Sequence, residues 1–282
     1  MAYDMPPTTF FYTYKIVISQ YFMVRLNQRK PNCVVTVKNP TKKNSSVVFT
    51  SNIENDVEFS QIDEWKHKWT PKKAVGRKGS KRDYGYVTYK LISESRSFPD
   101  TSFEHKALAI ALRTWGLRTK DIRFKRVRGN ANADLVVRFV KQKDDNYLKD
   151  KPSVLAYAYF PNGQAIGGDM TFNDSIWWSK NGEPVNAHKL MPETYPPNTK
   201  TKLRTYNLIH VMIHEGGHAI GLKHHPNCRE CVMYPYYSGL VVLHDQEGHD
   251  VGRIQEFYGK RTLSRQIVDY FRRRMKRKWG KK

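Results

Sequence analysis

The spacing of apolar and polar positions changes several times along the chain, and each change marks an element. Residues 86–92 read as a strand. From 103 to 117, Phe103, Ala107, Ile110, Ala111 and Trp115 recur at helical spacing, with Thr101 or Ser102 placed to cap the first turn. Segments 133–140 and 154–160 read as further strands, separated by the polar insertion 141–151. Residues 203–222 predict a second helix ending near Gly221, and 251–258 predict a third. Strands before and between helices predict a mixed sheet with helices packed on it, an α+β fold. No internal repeat is visible.

The flanks lack this regularity. The stretch 10–24 is apolar and aromatic, but Lys15 and Gln20 interrupt it and Asp4 precedes it. No small-residue cleavage site follows, so it is a poor signal peptide and equally a β-strand candidate. Two β-branched runs within 30–52, at 34–37 and 47–50, predict a hairpin. Residues 66–82 are basic, hold Pro71, Gly76 and Gly79, and have no period, which suggests a linker. At the other end Leu263, Ile267, Phe271, Met275 and Trp279 step by four among Arg and Lys, the pattern of a basic amphipathic helix.

Charge divides the chain in the same way. The 282 residues carry a formal net charge of +23. Residues 1–82 hold +9, residues 260–282 hold +10, and the long middle segment 83–259 holds only +4. Two basic flanks therefore enclose a nearly balanced globular composition. Such flanks suit an anionic membrane surface or another polyanion, with no specific nucleic acid indicated. No run approaches the roughly 18 apolar residues that a membrane-crossing helix needs. Histidine is uneven too: eight of the ten lie between 188 and 249. Cys33, Cys228 and Cys231 are too few for a disulfide framework. The Cys228-Arg-Glu-Cys231 pair admits three readings: a short-loop disulfide, a redox pair, or half a zinc site with no second such pair to complete it.

Within the histidine-rich region, 214–224 reads HEGGHAIGLKH, an H-E-x-x-H-x-x-G-x-x-H pattern. On a helix His214 and His218 share one face and can offer two imidazoles to one ion. Glu215 projects beside that ion, the position of a general base for water. Gly221 can adopt positive φ and turn the chain so that His224 adds a third ligand. Three neutral nitrogens with one open position describe a catalytic Zn2+ site. Five fixed residues make chance agreement rare, of order one chain in ten thousand. Met233 follows nine residues after His224, in Cys231-Val232-Met233-Tyr234-Pro235.

The extended zinc motif with a downstream Met-turn resembles the metzincin peptidases, and Met233-Tyr234-Pro235 with Tyr237 resembles the matrixins. The resemblance spans roughly 83–259. It implies a five-stranded mixed sheet with three helices, and an active-site helix followed by the Met-turn. It also implies that 1–82 is a divergent propeptide and 260–282 a tail. By the same resemblance the product is a zinc endopeptidase acting on extended protein or peptide substrates, secreted to the extracellular space. Leu155 and Ala156 then lie on the strand that pairs with substrate, His210, Pro235 and Tyr237 line the S1′ pocket, and Met233 packs beneath the ligands. His225, next to His224, is expected to point away.

Departures from the family pattern are as informative. Matrixins usually hold a structural zinc through three histidines and an aspartate. Here Tyr157 and Thr171 stand at two of the histidine positions and the insertion 141–151 has no histidine, so that ion is expected to be absent. Asp134 and Asp169 stand where the family places calcium ligands, although Asn173-Asp174-Ser175-Ile176 lacks the usual glutamate. His249 replaces the first of two paired aspartates in the closing helix. Cys33, in Pro31-Asn32-Cys33-Val34-Val35, is a candidate cysteine switch without the usual Gly and Asp. The rival reading is a basic polyanion- or membrane-binding protein with a vestigial peptidase site. The intact ligand set argues against it.

Overall fold

A computed structural model of the chain describes residues 33–36, 68–71, 73–75, 81–98, 102–161 and 165–261. The first strands are β1 (Cys33–Thr36), β2 (Lys73–Val75) and β3 (Lys81–Leu91), followed by helix α1 (Ser102–Gly116). Next come β4 (Ile122–Arg126), β5 (Leu135–Val140), β6 (Val154–Ala158) and β7 (Met170–Asn173). Shorter pieces follow: β8 (Trp178–Ser179), β9 (Val185–Asn186), the one-turn α2 (Ala187–Leu190), β10 (Lys202–Leu203) and β11 (Tyr206–Asn207). Helices α3 (Leu208–Ala219) and α4 (Asp250–Tyr258) complete the described chain.

The centre is the expected five-stranded mixed sheet, in the order β4-β3-β5-β7-β6. Its neighbours run parallel except β6, which is antiparallel to β7. Along β5, Leu135, Val137 and Phe139 are buried while their neighbours are half-buried, the period of a sheet with one face on the core. Every residue of β6 is buried. The reason lies in the polar insertion: Leu148 and Tyr147 fold back and pack on Val154, Tyr157 and Tyr159.

Two further strands flank this centre. β2 pairs antiparallel with the start of β3, so that strand begins at Lys81 rather than at 86. The stretch read as a linker is therefore partly structured. Within it the Trp69 indole donates to the Ala219 carbonyl at 2.8 Å and its backbone N–H donates to the Tyr258 hydroxyl at 2.9 Å. On the far side β1 pairs antiparallel with β6, and the second run of the predicted hairpin lies outside the described residues. So do the apolar stretch 10–24 and the amphipathic tail from 262 onward.

Helices α1 and α3 pack across the core. Leu108, Leu112 and Trp115 are fully buried, and the Trp115 indole donates to the Ile213 carbonyl at 2.8 Å. A β-carbon on Gly217 would strike the Met233 sulfur and sit 3.0 Å from the Trp115 ring, so only glycine allows this approach. The predicted second helix starts later than expected. Tyr206 and Asn207 pair in parallel with Trp178 and Ser179, and the Thr205 hydroxyl donates to the Glu183 carbonyl and lies in hydrogen-bond contact with the Ser179 hydroxyl, each at 2.7 Å. Those bonds hold the chain extended until Asn207 caps α3.

Candidate active site

Helix α3 begins where the Asn207 side chain accepts a hydrogen bond from the His210 N–H at 3.2 Å. Two turns later it carries His214, Glu215 and His218, all buried. Gly221 follows with φ of 107°, a conformation that costs other residues strain, and it returns His224 toward the helix. His214 Nε2 then lies 3.1 Å from His218 Nε2 and 3.1 Å from His224 Nε2.

The hydrogen bonds on the other side of the rings fix their chemistry. His214 Nδ1 lies 2.7 Å from the Val232 carbonyl, and His218 Nδ1 lies 2.6 Å from the Leu222 carbonyl. A carbonyl only accepts, so each Nδ1 carries the proton and each Nε2 presents a lone pair. Lone pairs converging at 3.1 Å cannot hydrogen-bond to one another. A cation that takes nitrogen ligands satisfies them, and the donor set fits Zn2+.

Electrostatics agree. Burial, first of all, holds His214, His218 and His224 well below the usual imidazole range, with neighbouring imidazoles adding to it. Neutral imidazole is the ligating form. Burial also pushes the Glu215 carboxyl well above its ordinary range. Neither Glu215 oxygen has a hydrogen-bond partner among the described residues. An orphaned buried carboxyl beside three convergent nitrogens is a group held for a reactant rather than for the fold.

Met233 is buried beneath α3, against Gly217. Its turn is held by Asp250 at the start of α4. That carboxylate accepts from the backbone N–H groups of Val232 at 2.7 Å, Met233 at 3.2 Å and His244 at 3.0 Å. The role of Asp250 was not foreseen, because nothing in its spacing pointed to a loop eighteen residues back.

The remaining expected residues fall into two groups. His210 and Tyr237 come together, their rings 5.0 Å apart, with the Tyr237 hydroxyl accepting from the Asn207 N–H at 2.7 Å. His210 is buried, Nδ1 meets the Leu240 carbonyl, and burial lowers its pKa to about 4, leaving it a neutral wall. Pro235 is buried two residues before Tyr237. Leu155 and Ala156 lie on β6, but that strand is not a bare edge, since Val35 of β1 pairs with Ala156. Cys33 stands opposite Ala158 in this ladder.

Asp134 and Asp169 are each engaged by neighbouring backbone groups. Asp134 Oδ2 accepts from the Thr88 N–H and hydroxyl, each at 2.6 Å, and Asp169 Oδ1 accepts from the Val136 N–H at 2.8 Å. Where the family's structural zinc is expected to be missing, a polar network stands. Arg138 donates to Thr171 Oγ1 at 3.0 Å and to Asp145 at 3.4 Å, and the Tyr157 hydroxyl donates to Asp145 at 2.9 Å.

Comparison with known proteins agrees with this geometry. The model of the matrixin family of peptidases matches residues 79–259. Matrilysin of Felis catus is 32% identical over 186 residues, covering 64% of this chain and 60% of that protein. Matrix metalloproteinase-2 of Drosophila melanogaster is 30% identical over 186 residues, 65% of this chain and 21% of that protein. Human matrilysin is 29% identical over 184 residues, 64% of this chain and 59% of that protein. The chain thus spans between a fifth and three fifths of the length of these relatives. With its family match running across most of the chain, and ending at the closing helix α4, the chain belongs to the matrixin family.

Proposed function

We propose that this chain is a zinc endopeptidase that hydrolyses peptide bonds of extended protein substrates. Family membership supports a zinc metalloendopeptidase in general. The observation that carries the finer reading is the convergence of His214, His218 and His224 beside the unpartnered Glu215 carboxyl. These three imidazoles would hold the ion, which supplies Lewis-acid polarisation of the scissile carbonyl and acidifies water. Glu215 takes the proton of the attacking water and returns it to the leaving amine nitrogen. The Val232 and Leu222 carbonyls keep the ligand rings in the required tautomer.

The substrate main chain pairs with β6 along Leu155 and Ala156, and its side chain after the cleaved bond enters the pocket walled by His210, Pro235 and Tyr237. In the described chain β1 takes that ladder. This supports the part of residues 1–82 that precedes Trp69 as a propeptide that holds the substrate's place, with Cys33 as its candidate switch and removal as its activation, while Trp69, β2 and the start of β3 stay with the domain. Extracellular action, and a tail at 260–282 that meets a polyanion or an anionic membrane, complete the reading. We assign no role to calcium at Asp134 or Asp169, each of which has one carboxylate oxygen engaged by the hydrogen bonds above.

Cleavage of a fluorogenic peptide by the chain lacking residues 1–67 tests this reading. Activity should be lost on chelation and in Glu215→Ala while the folded protein persists. A truncated protein that binds zinc through the three histidines yet cleaves no peptide overturns it. A variant lacking 262–282 that keeps peptide cleavage but loses retention on a polyanion column places the tail's role apart from catalysis.

A further inference from the structure

Behind the Met-turn a second group of ligating side chains converges, and it is unconnected to the proposed chemistry. His225, Cys228, Cys231 and His249 bring their ligand atoms within 4.8 Å of one another. His225 Nδ1 lies 3.3 Å from Cys231 Sγ. His249 Nδ1 lies 3.2 Å from Cys231 Sγ and 3.1 Å from Cys228 Sγ. Both cysteines are buried and both histidines are half-buried. The two sulfurs are joined as a disulfide in this structure.

We propose that the reduced Cys228–Cys231 pair, with His225 and His249, forms a closed four-ligand zinc site that staples the Met-turn to the start of helix α4. The first argument is donor chemistry. A disulfide needs no imidazole, and its sulfurs are weak acceptors, yet two histidines from different parts of the chain aim the same ring nitrogen at it. Two thiolates and two imidazoles are the donor set of a structural zinc and a poor one for calcium or magnesium.

Local geometry is the second argument. The Cys228 N–H donates to the His225 carbonyl at 3.2 Å, and the Cys231 N–H donates to the Cys228 carbonyl at 3.3 Å. Two successive turns thus curl three ligand residues around one point, with the C-x-x-C spacing that zinc loops use. Zinc–sulfur bonds near 2.3 Å and zinc–nitrogen bonds near 2.0 Å place sulfur and nitrogen about 3.5 Å apart on a tetrahedron. The sulfur–nitrogen distances, 3.1 to 3.3 Å, lie within a few tenths of an ångström of that edge. Zinc binds the two thiols before they oxidise, releasing their two protons, with a small outward shift of the donors. From the disulfide it first needs two electrons from a thiol reductant, which leaves as its own disulfide.

Position gives the site its role. His225 adjoins the ligand His224, and Cys231 lies two residues before Met233. His249 is the N-cap residue of α4. An ion here would tie the loop that follows His224 to the start of α4. All four protein ligands leave no open position, so the site has no catalytic role of its own.

Metal counting tests this without reference to peptide cleavage. The full chain, purified without reductant or chelator and dialysed against zinc, is weighed by native mass spectrometry. Two zinc ions per chain and free Cys228 and Cys231 are expected, falling to one ion in Cys228→Ser/Cys231→Ser. Cobalt(II) substitution gives a second readout, made in Cys33→Ser so that the candidate switch thiol is removed. A thiolate-to-cobalt charge-transfer band then reports this site alone, because His214, His218 and His224 carry no sulfur. The band should persist in His214→Ala. One zinc per chain with a Cys228–Cys231 disulfide overturns the proposal, as does a cobalt-loaded chain without the thiolate band.

Discussion

At the residue scale, each side chain of the candidate site has one feature that fixes its task. Glu215 is buried with no hydrogen-bond partner among the described residues, so removing its proton affinity should cost rate and little stability. Glu215→Gln is expected to lower peptide cleavage roughly a hundred- to ten-thousand-fold while zinc content stays unchanged. Gly221 adopts φ of 107°, so Gly221→Ala should destabilise the fold by about 1 kcal/mol or more and shift His224. Thermal unfolding together with zinc content would detect both effects. Asp250 accepts from three backbone N–H groups and is fully buried. Asp250→Ala strands those donors, for a loss on the order of 3 kcal/mol seen in denaturant titration. The first two residues were legible because their tasks follow from helix and turn geometry alone. Asp250 was not, because the groups that it binds are brought to it by folding.

At the element scale, strand boundaries moved where pairing partners were distant. The start of β3 at Lys81 depends on β2, and the delayed start of α3 depends on β8 pairing with β11. Strand β4, with Ile122 buried and Phe124 half-buried, is too short and too charged to declare itself without β3 beside it. The ladder of β1 on β6 matters most for the proposed function, in which the substrate pairs with the same main-chain groups. Removing residues 1–67 should therefore raise kcat/KM for an extended peptide. It keeps Trp69, whose indole is tied to Ala219 at the end of α3. Equal kcat/KM before and after truncation would show that β1 yields to substrate at no cost.

At the scale of the whole molecule, charge and burial act on stability rather than on chemistry. The balanced segment 83–259 carries +4 of the +23, so most of the chain's positive charge lies on the two flanks. Burial raises the Asp169 carboxyl from 3.8 to about 7, against the Val136 N–H and the Arg138 guanidinium. A carboxyl raised in the fold favours the protonated form. Its contribution is complete below 3.8 and is lost as pH rises through about 7. The loss is at most about 1.4 kcal/mol per pH unit. Melting temperature should fall across that window, and Asp169→Asn should flatten the slope. Calcium that holds Asp169 ionised would reverse it, so added calcium checks the hydrogen-bond reading. The α+β class was readable from the sequence, and the three histidines and Glu215 that we propose as zinc ligands and general base come together because segment 214–224 builds them from one helix and one glycine turn. Their geometry is set by 3.6 residues per turn and by glycine's freedom of φ, both short-range properties. Tertiary structure alone decided the rest. It brought His249 to Cys228 across twenty-one residues, Asp250 to the Met-turn, and β1 to β6 across the length of the domain. Such meetings depend on how the packed core returns the chain, and sequence spacing carries no record of that path.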